Sequence, residues 1–105
     1  MIARTWRGWT TPDGADAYQE HVTTAVLDHL RGVGGFRGLR LWRRRDGDEV
    51  EFLVMTTWAT LDAVRGFAGD DIERAVVEPA ARRVLTRFDD RCVHYDLAAS
   101  SDGAA

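Results

Sequence analysis

Alternating hydrophobic and polar positions predict four β-strands along the chain. Each of these stretches is rich in β-branched and aromatic residues, and turn-forming residues separate them from their neighbours. The predicted strands span Ile2–Thr10, Phe36–Arg45, Glu49–Trp58 and Arg91–Leu97. The dipeptide Asp46-Gly47 is typical of a two-residue hairpin turn, so the second strand is expected to pair directly with the third.

A helix is predicted between the first two strands, from about Ala15 to Arg31. Its apolar positions recur at helical spacing and form one face, which consists of Tyr18, Val22, Ala25, Val26 and His29. Three glycines within the next four residues favour termination of this helix, because glycine tolerates the left-handed backbone of a helix C-terminus.

Two further helices are predicted between the third and fourth strands. The first covers Thr60–Phe67, has Thr60 as its N-cap and is broken at Gly69. The second is expected to be capped by Asp70 or Asp71 and to run through Ile72, Ala75 and Val76, past Pro79. The resulting order, β-α-β-β-α-β, predicts an α+β fold of the ferredoxin-like type, an antiparallel sheet with helices on one face.

Side chains alternate along a strand, so each strand contributes to both faces of the sheet. One face is predicted to carry Ile2, Arg4, Trp6, Phe36, Gly38, Arg40, Trp42, Phe52, Val54, Thr56, Trp58, Cys92 and His94. The other is predicted to carry Ala3, Thr5, Arg7, Leu39, Leu41, Leu53, Met55, Val93, Tyr95 and Leu97. Both sets are largely apolar, and helices can cover only one of them. Burial of the second face against another copy of the chain, in a symmetric homodimer, is therefore predicted.

The first face mixes aromatic and polar side chains more than a plain core requires. It combines three tryptophans with Arg4, Arg40, Thr56 and His94. Burying unpaired guanidinium groups costs several kcal/mol, so such residues usually have partners or border a wet cavity. The pattern therefore predicts a pocket beneath the helices for a flat, oxygenated or aromatic ligand.

Composition and charge limit the classes of partner. The 105 residues allow one domain, predicted over residues 1–97 with a disordered tail over 98–105. A net charge of −3 argues against nucleic acid and membrane, and acidic residues directly follow the basic run at 43–45. With Cys92 the single cysteine and no metal-site spacing among the three histidines, no metal is expected. The lack of an apolar leader favours a cytoplasmic protein.

The third strand ends in Phe52-Leu53-Val54-Met55-Thr56-Thr57-Trp58 and is followed by the helical motif Thr60-Leu61-Asp62-Ala63-Val64. Together with Ile2-Ala3-Arg4-Thr5-Trp6-Arg7-Gly8, Phe67-Ala68-Gly69-Asp70-Asp71-Ile72 and Val93-His94-Tyr95, this motif resembles the antibiotic biosynthesis monooxygenase family. The resemblance covers residues 1–97. It implies a ferredoxin-like domain that pairs as a dimeric α/β barrel and oxidises an aromatic or polyketide-like small molecule.

Two branches of that family differ from this chain at their site residues. Members that oxidise anthrone-like phenols to quinones with dioxygen, without metal or flavin, use an Asn four residues before the strand-end Trp. Here that Trp is Trp58, but the Asn position holds Val54, so the mechanism needs another hydrogen-bond donor. The site positions of the haem-degrading branch hold Trp6, Phe67 and Val77 here. All three differ from that branch, so haem cleavage with its site is not expected.

The resemblance and the polar face together predict a cofactor-independent monooxygenase whose co-substrate is dioxygen. His94 is predicted to be the general base that deprotonates a phenolic or enolic substrate. Arg40 would stabilise the resulting enolate, assisted by Arg4. The residues predicted to bind the substrate are Arg4, Trp6, Trp42, Thr56, Trp58, Tyr18 and His29. Because the substrate supplies the reactivity, no cofactor is expected, and no phosphate-binding glycine loop follows a strand.

Other interpretations of the same residues stay open. A cyclase or isomerase would also begin with an enolate and would use the same groups. A dimeric barrel that binds a small molecule without converting it is a further alternative, for which Val54 is the main argument. Arg4 and Arg40 could instead be structural partners of Asp96 or Glu78, and His94 could simply bind a carbonyl group.

Overall fold

The computed structural model describes residues 1–101 as one antiparallel sheet with helices on one face. Strand β1 (Ile2–Thr10) pairs with β3 (Glu49–Trp58), and β2 (Phe36–Asp46) forms the edge beyond β3. Along the other side of β1 lie β4 (Leu85–Phe88) and β5 (Val93–Asp96). The order β2-β3-β1-β4 confirms the predicted ferredoxin-like fold.

The last strand of the fold is divided into two segments. β5 pairs with β1 from Ile2 to Thr5 and confirms the centre of the predicted strand Arg91–Leu97. β4 pairs with the other end of β1, where the hydroxyl of Thr86 donates to the carbonyl oxygen of Trp9 (3.1 Å). The sequence did not indicate β4, because four residues are too few to show an alternation.

The first predicted helix is continuous but contains a wider turn. It consists of α1 (Ala15–His21), a π-helical turn (Val22–Val26) and α2 (Leu27–Arg31). A π-helical turn leaves main-chain carbonyls without their usual partners. The hydroxyls of Thr23 and Thr24 donate to such carbonyls one turn earlier, at 2.9 Å and 2.7 Å.

The second helical region is confirmed in its first half and wrong in its second. Thr60 caps α3 (Leu61–Ala68), with its hydroxyl oxygen accepting the N–H of Ala63 at 3.1 Å. Residues 70–78 form no helix; they cross the sheet edge as an irregular segment, hereafter the strap. The helix α4 (Pro79–Val84) begins only at Pro79, because proline fits the first turn of a helix and holds the residue before it in an extended conformation.

The strap lies beside the segment that joins β4 to β5. The N–H of Cys92 donates to the carbonyl of Glu73 (2.7 Å), and the N–H of Ala75 donates to the carbonyl of Asp90 (3.1 Å). These long-range main-chain bonds replace the intrahelical bonds that were predicted there. Main-chain hydrogen bonds between segments that are distant in the sequence depend on tertiary contacts, so a local sequence pattern does not reveal them.

A β-bulge reverses the predicted orientation of most of β2. Phe36 lies opposite Trp58, but Gly38 lies opposite Thr57, so one extra residue is inserted between them. From this point each side chain points to the face opposite the predicted one. Leu39 and Leu41 therefore pack toward the helices, and Arg40 and Trp42 lie on the other side. The predicted placement of Gly38, Leu39, Arg40, Leu41 and Trp42 is wrong.

The other strands orient their side chains as predicted. Phe52 and Trp58 of β3 are fully buried beneath the helices. Phe52 packs with Tyr18 and Val22 of the first helix, and Trp58 packs with Leu30 and Val64. Full burial of each large apolar side chain stabilises the fold by about 1.5–3 kcal/mol. The core therefore has two parts, one beneath each half of the long helix.

The described part of the chain contains no helix long and apolar enough to cross a membrane. Residues 98–101 adopt neither helix nor strand. The remaining residues of the predicted tail, 102–105, lie outside the described residues.

Gly35 and Gly47 both have positive φ, but only Gly35 lies close to a neighbouring side chain. Gly35 (φ 85°) faces α3, and a Cβ added there would lie 2.4 Å from the Cβ of Ala63. Gly47 (φ 60°), in the β2–β3 turn, has open space around it. We expect Gly47→Ala to lower the free energy of unfolding by about 1 kcal/mol and Gly35→Ala by roughly 3 kcal/mol or more, as measured by chemical denaturation. Equal losses would contradict the close approach of α3 to Gly35.

Candidate active site

A cavity lies between the helix-covered face of the sheet, the first helix and the strap. Its volume is about 90 Å³. The polar side chains at its wall are those of Arg4, Tyr18, His21, His29, Thr56 and Glu78. Its apolar wall includes Trp6, Val22, Val26, Leu30, Val54 and Phe67. The predicted pocket beneath the helices is therefore present, although small.

Arg4 is buried, with 5% of its surface exposed, and its hydrogen bonds go to neutral groups. Nη2 donates to the carbonyl of Arg74 (2.8 Å), and Nη1 donates to the carbonyl of Ile72 and to Nε2 of His94 (2.9 Å). Among the described residues no carboxylate forms an ion pair with Arg4, so the alternative pairing with Asp96 or Glu78 is absent. Burial lowers the pKa of this guanidinium, which nevertheless stays charged at neutral pH.

His94 contacts Arg4 and does not border the cavity. Because Arg4 can only donate, Nε2 of His94 must be the unprotonated, accepting nitrogen of a neutral imidazole. Burial, and secondly the charge of Arg4, lower the pKa of His94 below its ordinary value. The lone pair predicted to take a proton from the substrate is thus already used to hold Arg4.

Trp58 supports the cavity wall from behind. Its indole N–H donates to the hydroxyl of Thr56 (2.9 Å), and its ring stacks on Phe67 with 5.5 Å between centroids. Thr56 and Phe67 border the cavity, whereas Trp58 is fully buried and does not. The guanidinium carbon of Arg4 lies 5.8 Å from the centre of the Phe67 ring, an arrangement typical of a cation–π contact. Phe67 therefore contacts both the indole ring of Trp58 and the guanidinium group of Arg4.

Of the other predicted site residues, Trp6, Tyr18 and His29 border the cavity. The indole N–H of Trp6 donates to the carbonyl of Asp89 (2.6 Å), which fixes the orientation of its ring. Tyr18 packs edge-on against Phe52 (4.9 Å), and burial raises its pKa, so the phenol is neutral. His29 is exposed at the rim, with its ring 6.0 Å from that of Phe67.

Arg40 and Trp42 do not belong to the cavity. Both project from the face of the sheet opposite the helices, and Trp42 is 53% exposed. The bulge in β2 is the physical reason, because it exchanges them with Leu39 and Leu41. The predicted placement of Arg40 and Trp42 in this pocket is therefore wrong.

His21 borders the cavity, and sequence reasoning missed it. Its Nε2 atom is buried and has no hydrogen-bond partner among the described residues, and the nearest acid, Glu78, has its Oε2 atom 3.7 Å away. The signal was its position three residues after Tyr18 and one before Val22, both on the predicted inward face. Within residues 1–101 no cluster of three His, Cys, Asp or Glu residues could hold a metal ion.

Comparison with known proteins connects this geometry to a family. The model of the antibiotic biosynthesis monooxygenase family matches residues 1–79, which form β1 to β3, the helices α1 to α3 and the strap. The chain belongs to this family. No curated protein matches it by sequence.

Solved structures of the antibiotic biosynthesis monooxygenase fold agree with the family match. The ActVA-Orf6 monooxygenase of Streptomyces coelicolor, in complex with nanaomycin D, has a TM-score of 0.65 and 15% identity, over 98% of this chain and 92% of that one. The cofactor-independent oxygenase SnoaB of Streptomyces nogalater has a TM-score of 0.61 and 20% identity, over 94% and 95%.

The haem degrader MhuD of Mycobacterium tuberculosis, with two haems bound in its active site, is also similar. Its TM-score is 0.61 at 19% identity, over 97% of this chain and 100% of that one. At such identities these structures demonstrate a shared fold. The reaction of this antibiotic biosynthesis monooxygenase family member has to be argued from its own site.

The contact between His94 and Arg4 predicts an acid sensitivity of folding. Since the folded-state pKa of His94 is lowered, the unfolded chain takes up the proton first. The stabilisation is complete above the ordinary pKa of histidine and is lost as the pH falls toward the lowered value. Between about pH 7.5 and 5 we expect the free energy of unfolding to fall less in His94→Gln than in the wild type. Denaturant titrations at each pH measure this, with His29→Gln as the matched control, and identical pH dependence in wild type and His94→Gln would contradict it.

Proposed function

We propose that this protein is a cofactor-independent monooxygenase that oxidises an aromatic or polyketide-like small molecule through its phenolate or enolate. The observation that carries this proposal is the buried charge of Arg4, whose partners among the described residues are all neutral and which lies beside a cavity. The family supports an oxygenase in general terms. The similar structures of ActVA-Orf6, a monooxygenase, and SnoaB, a cofactor-independent oxygenase, support this chemistry by analogy.

An uncompensated buried cation favours an anionic ligand. Removing a guanidinium from water costs several kcal/mol, and carbonyl dipoles offset only part of this cost. The three contacts of Arg4 use only part of its N–H donors. A phenolate or enolate oxygen at the cavity would accept from the free donors and would supply the missing negative charge. A fixed donor of this kind stabilises an anion that develops during a reaction.

The proposed reaction needs only the substrate and dioxygen. Loss of a proton from a ring carbon or hydroxyl of the substrate gives an enolate or phenolate, whose carbanion resonance form transfers an electron to dioxygen. The carbon–oxygen bond then forms, a CH₂ group becomes C=O, and the second oxygen atom leaves as water with the two hydrogen atoms. Arg4 holds the anionic oxygen, while Trp6 and Phe67 provide flat apolar walls against the ring.

The size of the cavity requires the strap to move. Pockets that bury drug-sized ligands measure roughly 300–1,000 Å³, whereas this cavity measures about 90 Å³. The strap covers it and contacts Arg4 through the carbonyls of Ile72 and Arg74. Outward movement of the strap would enlarge the cavity and release the donors of Arg4 at the same time. Substrate binding would thus replace two carbonyl acceptors with one anion.

A non-catalytic binding protein is the second candidate, and Val54 favours it. Val54 borders the cavity at the position that carries an Asn in quinone-forming members of the family. It supplies no hydrogen bond, so the chain would need Arg4 or Thr56 for that purpose. A cyclase or isomerase would use the same enolate but would consume no dioxygen. Oxygen uptake therefore distinguishes the monooxygenase from the other two candidates.

We expect Arg4→Gln to reduce oxygen uptake with a model anthrone by about 100-fold or more, because the fixed cation is lost. Arg40→Gln, the same change on the opposite face of the sheet, should leave the rate unchanged. Thermal unfolding of both variants verifies that the fold is retained, and Arg4→Lys should restore part of the rate by restoring the charge. Uptake that is absent in the wild type, or unaffected by Arg4→Gln, would rule out this mechanism.

The opposite face of the sheet supports a further part of the proposal, a symmetric homodimer. Met1, Val93, Tyr95 and Leu97 are each more than half exposed on this face. Met1, Tyr95 and Leu97 line an open groove of about 440 Å³ that also includes Met55. At the other end of the same face, Trp9 is covered by Arg87, whose guanidinium carbon lies 4.0 Å from the ring centre. The apolar end of this face, around the groove, is therefore the part that a second copy of the chain would cover.

We expect Met55→Glu to yield monomers or insoluble protein, because it places a charge in the middle of the apolar groove. Ala25→Glu, on the exposed side of the first helix, is the matched control and should keep the size of the wild type. Light scattering after size-exclusion chromatography measures the mass of each. A wild-type monomer, or a Met55→Glu dimer of unchanged stability, would refute this interface.

A further inference from the structure

The imidazole of His21 is the second unusual polar group of the cavity. Its side chain is 15% exposed, and its Nε2 atom is fully buried without a hydrogen-bond partner among the described residues. A buried nitrogen without a hydrogen-bond partner costs free energy. Either the fold tolerates this cost, or a ligand supplies the partner when it binds. Because His21 borders the same cavity as Arg4, a ligand there would contact both.

We propose that His21 is the general base of this cavity and that Glu78 stabilises its protonated form. This inference rests on the proposed function, since it assigns the proton acceptor for the phenolic or enolic substrate. A proton passes from the substrate hydroxyl to Nε2 of His21, and the electron pair of the O–H bond remains on the substrate oxygen. The phenolate then accepts hydrogen bonds from Arg4, and the imidazolium faces the carboxylate of Glu78 at 3.7 Å.

The distance to Glu78 suits this division of roles. At 3.7 Å the Nε2 and Oε2 atoms are too far apart for a hydrogen bond, so in the neutral tautomer with its proton on Nδ1 the lone pair of Nε2 is free to accept a proton. Once Nε2 is protonated, the same separation allows an ion pair with a partly buried carboxylate. Glu78 therefore acts through His21 and is a positioning residue.

The groups around His21 are compatible with proton acceptance. The titratable side chains at the cavity wall are Arg4 from β1, Tyr18 and His29 from the first helix, Glu78 from the strap, and Cys92 from the segment before β5. Burial raises the pKa of both Tyr18 and Cys92, so neither is an anion that competes for the proton. His94, the base predicted from the sequence, is already bound to Arg4. His21 is thus the one buried imidazole at this wall with a free lone pair among the described residues.

The π-helical turn provides a reason for the position of His21. The turn begins at Val22, directly after His21, and its first and last residues, Val22 and Val26, border the cavity. Such turns are frequent at functional sites. They are tolerated here because Thr23 and Thr24 bind the displaced carbonyls.

Binding of 4-nitrophenol tests the base without depending on oxygenase activity. The phenolate of this probe absorbs at longer wavelength than the neutral phenol, so its spectrum reports the ionisation of the bound form. We expect the wild type to bind it as the phenolate, and His21→Gln to raise the apparent pKa of the bound probe by about one unit or more. Glu20→Gln, on the outer side of the same helix, should match the wild type, and Glu78→Gln should have an intermediate effect.

The outcomes distinguish a failure of the base assignment from a failure of the proposed function. An unchanged spectrum and pH dependence in His21→Gln would overturn the base assignment, while loss of phenolate binding in Arg4→Gln would still support the anion site. Absence of saturable binding by the wild type would overturn both.

With a model anthrone, His21→Gln should lower kcat by about 100-fold and should remove the acid limb of the pH–rate profile. A merely structural role for His21 would lower stability and leave that limb in place, and this result would also overturn the assignment.

Discussion

The charge of Arg4 is the constraint on which the rest of the site depends. A guanidinium that is 5% exposed and has no acidic partner within the described part of the chain has to be surrounded by acceptors, and two separate elements supply them. The strap contributes the carbonyls of Ile72 and Arg74, and β5 contributes the neutral imidazole of His94. The irregular course of the strap follows from this arrangement, because residues in a regular helix would use those carbonyls internally.

A purely structural interpretation of Arg4 explains the strap but leaves the cavity unexplained. Carbonyl acceptors satisfy hydrogen bonds without neutralising a charge, and an apolar side chain of similar size would close the cavity at lower cost. The second buried group, His21, has a nitrogen with no hydrogen-bond partner in residues 1–101. Two imperfectly satisfied polar groups at one cavity wall are hard to explain by packing and are expected of a site that awaits a polar ligand.

The sequence predicted the fold well because its main signals are local. The alternation in β1 and β3 defined both strands at their observed bounds, and the capping residue Thr60 located α3. The errors arose where a single residue or a distant partner decides the structure. One inserted residue near Gly38 reversed most of β2 and removed Arg40 from the site, and alternation alone cannot reveal such an insertion.

The site was predicted in part for related reasons. Arg4, Thr56 and Trp6 lie on strands whose orientation was correct, so the sequence brought them to the cavity wall. His94 was placed on the correct face, but its contact with Arg4 depends on side-chain conformations that a sequence pattern does not contain. His21 was missed although it lies at helical spacing, three residues after Tyr18, because the pattern does not show that its Nε2 atom is buried without a partner among the described residues.

The strap connects the two polar groups of the cavity. It carries the carbonyls that occupy Arg4, and it ends at Glu78, the acid beside His21. Outward movement of the strap to admit a ligand would take the acceptors away from Arg4 and would move the carboxylate relative to the imidazole. Its return over a bound anion would bring Glu78 back as His21 becomes positively charged, so closure would favour the phenolate and the imidazolium together. A single segment would thereby couple substrate entry to substrate ionisation. This coupling gives a reason for the irregular strap, rather than a helix, at this edge of the sheet.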